Sequence, residues 1–73
     1  MTKVDALVIA ILADDDGIPI SAARKMWDGS NEEARKGHYW DCTKQPQTCA
    51  VCFVNRRRES AQRILNYVED QTS

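Results

Sequence analysis

The strongest apolar pattern in the chain lies in residues 2–14, TKVDALVIAILAD. Apolar residues recur there at the i, i+3, i+4, i+7 and i+8 positions of one helical face, namely Val4, Leu7, Val8, Ile11 and Leu12. Its other faces are largely apolar too, so we expect this helix to lie at the centre of the core. Thr2 and Asp5 form a loose capping box at its start, and Gly17 is expected to supply a left-handed C-terminal cap.

Further helices are predicted on both sides of a long aperiodic stretch. Ser21 is expected to cap a short helix from residue 22 to about residue 28, with Met26 and Trp27 towards the core, followed by a turn at 28–31. Asn31 would cap a third segment, 32–36, and Asn55 a last helix, 56 to about 70. The apolar stripe of that last helix comprises Ala61, Ile64, Leu65 and Val68. Residues 38–52 show no periodicity, so the sequence predicts a mainly α fold of three to four helices with a long loop.

The length and composition limit the class of protein. The 73 residues leave room for one compact domain over residues 1–73, and so small a core barely offsets the entropy of ordering the chain. Such a domain often needs an additional stabilising element, such as a disulfide, a metal ion or a partner. The longest apolar stretch, residues 6–13, is far shorter than the ~20 residues that a membrane span needs. We therefore expect an intracellular, monomeric protein without a membrane partner.

A cluster of four zinc-ligand residue types lies within the predicted loop. The spacing is His38-x3-Cys42-x6-Cys49-x2-Cys52, and it includes all three cysteines and the single histidine of the chain. Zinc takes four tetrahedral nitrogen and sulfur ligands in structural sites, and three cysteines with one histidine are a standard set. Because a structureless loop of this length is improbable in a small domain unless something holds it, structural zinc is the favoured cofactor.

Two other interpretations of the cluster stay open. The cysteines could be small buried apolar residues, as free cysteines often are. Cys49 and Cys52 could also form a redox-active pair, although no βαβ pattern surrounds them. Four ligands would leave no open position for water, so zinc here would be structural. With no catalytic motif elsewhere, we expect that the protein is not an enzyme.

The net charge of −1 conceals two halves of opposite sign. Residues 1–34 carry a net charge of −4 and residues 35–73 carry +3. An arginine run, Arg56, Arg57 and Arg58, begins the last helix, where cations are unfavourable to the helix dipole. We predict that this run, with Arg63, forms part of a partner-binding surface that contacts phosphate or an acidic protein. The alternative is a solvated face with one arginine paired to the acidic half.

The layout of the chain resembles that of the small transcription regulators of lytic Xanthomonas phages. The shared features are the overall length, the apolar N-terminal helix, the segment 40–52 and the arginine-headed last helix. The resemblance implies binding to host RNA polymerase near the N-terminal part of the β′ subunit, in the cytoplasm of the infected bacterium. It further implies inhibition of host initiation by displacement of the σ factor, and antitermination during elongation. It assigns no individual contact residues.

A second class of function stays open beside it. Residues 8–23 resemble the opening helix and turn of helix-turn-helix proteins, which would make the chain a small or zinc-stapled regulator that binds DNA or RNA. Nucleic acid near the polymerase channel is a further partner that the first interpretation allows. The candidate recognition helix carries only Arg24 and Lys25, with acidic neighbours that repel phosphate. Docking on a protein is therefore the favoured interpretation.

Overall fold

A computed structural model describes residues 1–37 and 49–72, which contain three α-helices. α1 spans Lys3–Asp16, α2 spans Ile20–Ala34 and α3 spans Ala50–Thr72. Each helix contacts both of the others, so these residues form a three-helix bundle, and the expected mainly α class is confirmed. None of the helices in the described ranges is long and apolar enough to cross a lipid bilayer.

Both capping residues of α1 follow the sequence prediction. The Thr2 hydroxyl accepts a hydrogen bond from the backbone N–H of Asp5 at 3.1 Å and donates one to the Asp5 carboxylate at 2.9 Å. Gly17 has the left-handed conformation, φ 62° and ψ 36°, and its N–H bonds to the carbonyls of Ala13 and Asp14. The helix runs two residues further than expected, through the exposed Asp15 and Asp16.

The prediction of two short helices between residues 22 and 36 is wrong, because α2 is continuous from Ile20 to Ala34. It begins after Pro19, whose carbonyl accepts from the N–H groups of Ala22 and Ala23, so Ser21 is not its cap. The predicted turn residues at 28–31 lie inside the helix. Ser30 and Asn31 each donate a side-chain hydrogen bond to the carbonyl four residues earlier, at 3.0 and 2.8 Å.

α3 begins at Ala50, six residues before the predicted start, so Asn55 does not cap it. The reason is packing. Val54 is 2% exposed in the core, and the Phe53 ring lies 6.4 Å from that of Trp27, centroid to centroid. Residues 50–52, which the sequence assigned to the loop, are therefore helical. Cys49, the next residue of the predicted loop, immediately precedes the helix. The rest of the predicted loop, residues 38–48, lies outside the described residues.

The core contains small and large apolar side chains from all three helices. α1 supplies the largest share, as the sequence predicts, and Trp27 of α2 is 2% exposed. Met26, which was also expected in the core, is 48% exposed. The buried members are Val8, Ile9, Leu12, Ala13, Ala23, Trp27, Val54 and Ala61.

The C-terminal half of α3 carries little of this core. α3 has 23 residues, against 14 in α1 and 15 in α2. Between Gln62 and Thr72 every residue is exposed apart from the half-buried Leu65. Of the predicted apolar stripe, only Ala61 is buried, so the outer half of α3 presents an accessible helical surface.

One carboxylate connects the three helices. Asp5 of α1 accepts a hydrogen bond at 3.1 Å from the indole N–H of Trp27 in α2, and another at 3.1 Å from Nε of Arg58 in α3. A second guanidinium nitrogen of Arg58 donates to Oδ1 of Asn31 at 2.6 Å. The Arg58 guanidinium also lies 5.4 Å from the centroid of the Trp27 ring. We call Asp5, Trp27, Asn31 and Arg58 the interhelical network.

The network changes the acidity of Asp5. Burial raises the pKa of this carboxyl, but hydrogen bonds from Thr2, Arg58 and Trp27, together with the charge of Arg58, outweigh that effect. The pKa of Asp5 therefore lies below its ordinary value of 3.8. A carboxylate with a lowered pKa stabilises the folded state fully above the pKa of the unfolded chain. This contribution disappears as the pH falls through the lower pKa of the folded state.

We predict that Asp5→Ala lowers the free energy of unfolding by about 1–3 kcal/mol at neutral pH, because the buried Trp27 N–H loses its acceptor. The difference in stability between the variant and the wild type should narrow as the pH falls below 3.8 and through the lower pKa that Asp5 has in the folded state, because the wild type then loses the charge-dependent part of this contribution. Urea denaturation at a series of pH values measures both effects. The exposed Asp28→Ala serves as the control, with an expected change within about 0.5 kcal/mol. A constant difference between wild type and Asp5→Ala down to strongly acidic pH would contradict the assignment.

Candidate functional site

The structure divides the four predicted arginines into two sets. Arg58 points between the helices and belongs to the interhelical network, with its side chain 43% exposed. Its pairing with Asp5 is the contact between the arginine run and the acidic half that the sequence left open as an alternative. Arg56, Arg57 and Arg63 lie elsewhere, around one surface groove.

That groove has a volume of about 350 Å³ and is lined by Arg56, Arg57, Ser60 and Arg63. We call it the arginine groove. Helix geometry explains its composition, since residues at i, i+4 and i+7 project from the same side of an α-helix. Arg56, Ser60 and Arg63 have this spacing, and Arg57 borders them. Three cations and a hydroxyl therefore converge on one side of α3.

Arg57 is held in place at the edge of the groove. Its guanidinium lies 5.5 Å from the centroid of the Phe53 ring, a cation–π distance. One of its nitrogens is 4.0 Å from a carboxylate oxygen of Asp15, at the end of α1. Because both side chains of this pair are substantially exposed, the ion pair is screened by solvent and is weak.

Arg56 and Arg63 have no such neutralising contact. Within residues 1–37 and 49–72, neither forms an ion pair with an acidic side chain. The i, i+4 pair between Glu59 and Arg63, which the sequence spacing allows, is not formed. These two guanidinium groups are therefore available to an anionic ligand.

The arginine groove continues into an apolar surface. Tyr67 follows Arg63 by four residues and is 68% exposed, and Ile64 is 42% exposed. Both lie on the side of α3 that carries the groove, by the same helical spacing. Sequence reasoning missed Ser60 and Tyr67 and placed Ile64 in a core stripe. The spacing of Arg56, Ser60, Arg63 and Tyr67 at i, i+4, i+7 and i+11 was the available signal.

Two of the four predicted zinc ligands can be placed. Cys49 is buried directly before α3 and Cys52 is half-buried in its first turn, and these cysteines are 3.8 Å apart. His38 and Cys42 lie outside the described residues. The described residues alone contain no group of three or more His, Cys, Asp or Glu side chains that could hold a metal ion. The zinc-pinned loop is thus not shown, and zinc at His38, Cys42, Cys49 and Cys52 stays a hypothesis.

Comparisons with known proteins identify no relative. No protein-family model matches the chain, and no curated protein or solved structure is significantly similar to it.

The division of the arginines predicts different effects on stability. Arg58→Ala should lower the free energy of unfolding by about 1–2 kcal/mol, because it removes two charge-assisted hydrogen bonds and leaves Asp5 and Asn31 with fewer partners. Arg56→Ala removes the same charge from an exposed position and should change stability by no more than about 0.5 kcal/mol. Urea denaturation of the two variants tests this. Equal stability of both variants would show that the Arg58 contacts contribute nothing.

The zinc hypothesis predicts one bound ion per chain. Native mass spectrometry of protein produced with added zinc should show that mass, and Cys52→Ser should reduce zinc binding because a thiolate ligand is lost. Circular dichroism after treatment with a chelator should then show loss of structure. A metal-free mass with complete folding would contradict the hypothesis.

Proposed function

We propose that the protein is a phage-encoded transcription regulator that binds host bacterial RNA polymerase through the arginine groove. In the form that the sequence resemblance implies, it binds near the N-terminal part of the β′ subunit. There it inhibits host initiation by displacing the σ factor and promotes antitermination. Its place of action is the cytoplasm of the infected bacterium.

The observation that carries this proposal is the arginine groove itself. Three guanidinium groups line one accessible face of α3, and Arg56 and Arg63 have no acidic partner among the described residues. Arginine forms planar, bidentate hydrogen bonds with carboxylates and is enriched at protein interfaces. A helix that presents such a surface beyond its own bundle is suited to docking on a larger assembly.

The small size of the domain favours a function in which the protein acts by occupying a site on a larger assembly. A bundle of three helices can cover or bridge a site on a multisubunit enzyme without carrying a reaction of its own. Docking is tighter when the surface is ordered beforehand, because every side chain ordered on binding costs affinity. The interhelical network fixes α3 against α1 and α2 and supports the groove in this way.

A second candidate is a helix-turn-helix-like or zinc-stapled regulator that binds DNA or RNA. The observation that favours it is the three-residue connection, residues 17–19, between α1 and α2. The charge of α2 disfavours it. Asp28, Glu32 and Glu33 are all exposed on that helix, and acidic side chains repel phosphate.

We predict that tagged protein retains bacterial RNA polymerase in a pull-down and that Arg56→Ala with Arg63→Ala reduces retention by about tenfold. The matched control is Arg24→Ala with Arg35→Ala, which removes the same charge from α2 and its C-terminal cap and should leave retention unchanged. Mass spectrometry of the captured proteins and a σ-competition assay provide the measurements. Absence of polymerase, or steeply salt-dependent DNA binding in a mobility-shift assay in its place, would overturn the proposal.

A further inference from the structure

We propose that the arginine groove and the adjoining Ile64 and Tyr67 bind a short acidic peptide segment that carries an aromatic or aliphatic anchor residue. This inference rests on the proposed function, since it names the kind of partner segment that the same surface recognises. The surface offers two chemistries side by side, guanidinium groups and exposed apolar side chains.

The charged half of the surface is suited to an anionic ligand. Arg56 and Arg63 are exposed and unpaired within the described ranges, and Arg57 is held at the groove by Phe53. The hydroxyl of Ser60 lies between them on the same face, where it can donate a further hydrogen bond. Carboxylates satisfy arginine bidentately, so two or three acidic side chains of a peptide would match the three cations.

The apolar half favours a ligand that also carries an apolar side chain. Ile64 and Tyr67 expose 42% and 68% of their surface next to the groove. Tyrosine and arginine are, with tryptophan, enriched among the hot-spot residues of protein interfaces. An aromatic or aliphatic side chain of the peptide would bury this surface, while its acidic neighbours reach the guanidinium groups.

Acidic residues border the groove and restrict the length of the ligand. Asp15 lies at the Arg57 edge, 4.0 Å from its guanidinium. The exposed Glu59 follows Arg56 by three residues and precedes Arg63 by four, which places it beside both on α3. A long polyanion such as single-stranded nucleic acid would pass these carboxylates and be repelled by them. A short peptide can place its acidic groups within the groove and avoid both.

The binding test uses the purified full chain and labelled probes in fluorescence anisotropy. One probe is a peptide in which Asp and Glu alternate with Leu and Phe, and its matched control has Asn and Gln in place of the acids. A third probe is an oligothymidylate and a fourth a peptide of Asp and Glu without apolar residues. We expect the first peptide to bind, and each of the other three to bind at least about tenfold more weakly.

Variants identify the surface. Arg56→Ala with Arg63→Ala should weaken binding of the first peptide by about tenfold or more, and Tyr67→Ala by about fivefold. Arg24→Ala with Arg35→Ala removes equal charge from α2 and its C-terminal cap and should have no effect. Circular dichroism confirms that each variant is folded. Affinity that is insensitive to Arg56, Arg63 and Tyr67, or tighter binding of the oligothymidylate, would overturn the inference.

The outcome is independent of the pull-down with RNA polymerase. If the polymerase is retained through Arg56 and Arg63 but the acidic-apolar peptide does not bind, the inference is wrong and the proposed function stands. If the peptide binds in the manner expected and the polymerase is not retained, the peptide-binding surface is established and a different partner carries the sequence that it recognises.

Discussion

The architecture depends on the contact of the Asp5 carboxylate with the Trp27 indole and the Arg58 guanidinium. A partly buried carboxylate stabilises a fold only if its lone pairs meet donors, and here two of the three donors come from the other two helices. The contact therefore fixes the rotation of α3 about its own axis. Successive helical residues are about 100° apart, so Arg56 lies about 200° from Arg58 and faces away from the bundle. Because Arg58 points into the bundle, Arg56 points outward, and the position of the arginine groove follows from the way α3 packs on the other helices.

The sequence predicted α1 well because every local signal there agrees. A periodic apolar face, a capping threonine and a glycine that can adopt positive φ all indicate one helix with these ends. In α2 the local signals disagree with the tertiary structure. The stretch 28–31 has the composition of a turn, and a glycine inside a helix costs about 1 kcal/mol relative to alanine. Burial of Trp27 in the core maintains the helix through that stretch, and the side chains of Ser30 and Asn31 donate hydrogen bonds to backbone carbonyls within the helix where they could have formed a turn.

The candidate site could be predicted only in part, for a geometric reason. The arginine run was visible in the sequence, but three consecutive residues span most of the circumference of a helix. Which of them points inward depends on Asp5 and Asn31, 53 and 27 residues away along the chain, and no local pattern contains that information. Tyr67 was missed because its helical spacing from Arg56 and Arg63 is informative only once the outward face of α3 is known. Tyr67 becomes part of a candidate site only because α3 extends past the core and places it one helical turn from Arg63.

The unequal lengths of the helices divide α3 into two regions of different local stability. The inner turns contribute Val54 and Ala61 to the core and can open only when the bundle unfolds. The outer turns have few buried contacts, so they can fray and re-form while the remainder stays folded. Part of the proposed recognition surface thus belongs to a segment that can lose and regain its helical structure. A partner that covers Ile64 and Tyr67 would hold this segment in the helical state. The conformational entropy lost in that ordering would lower the affinity of the complex.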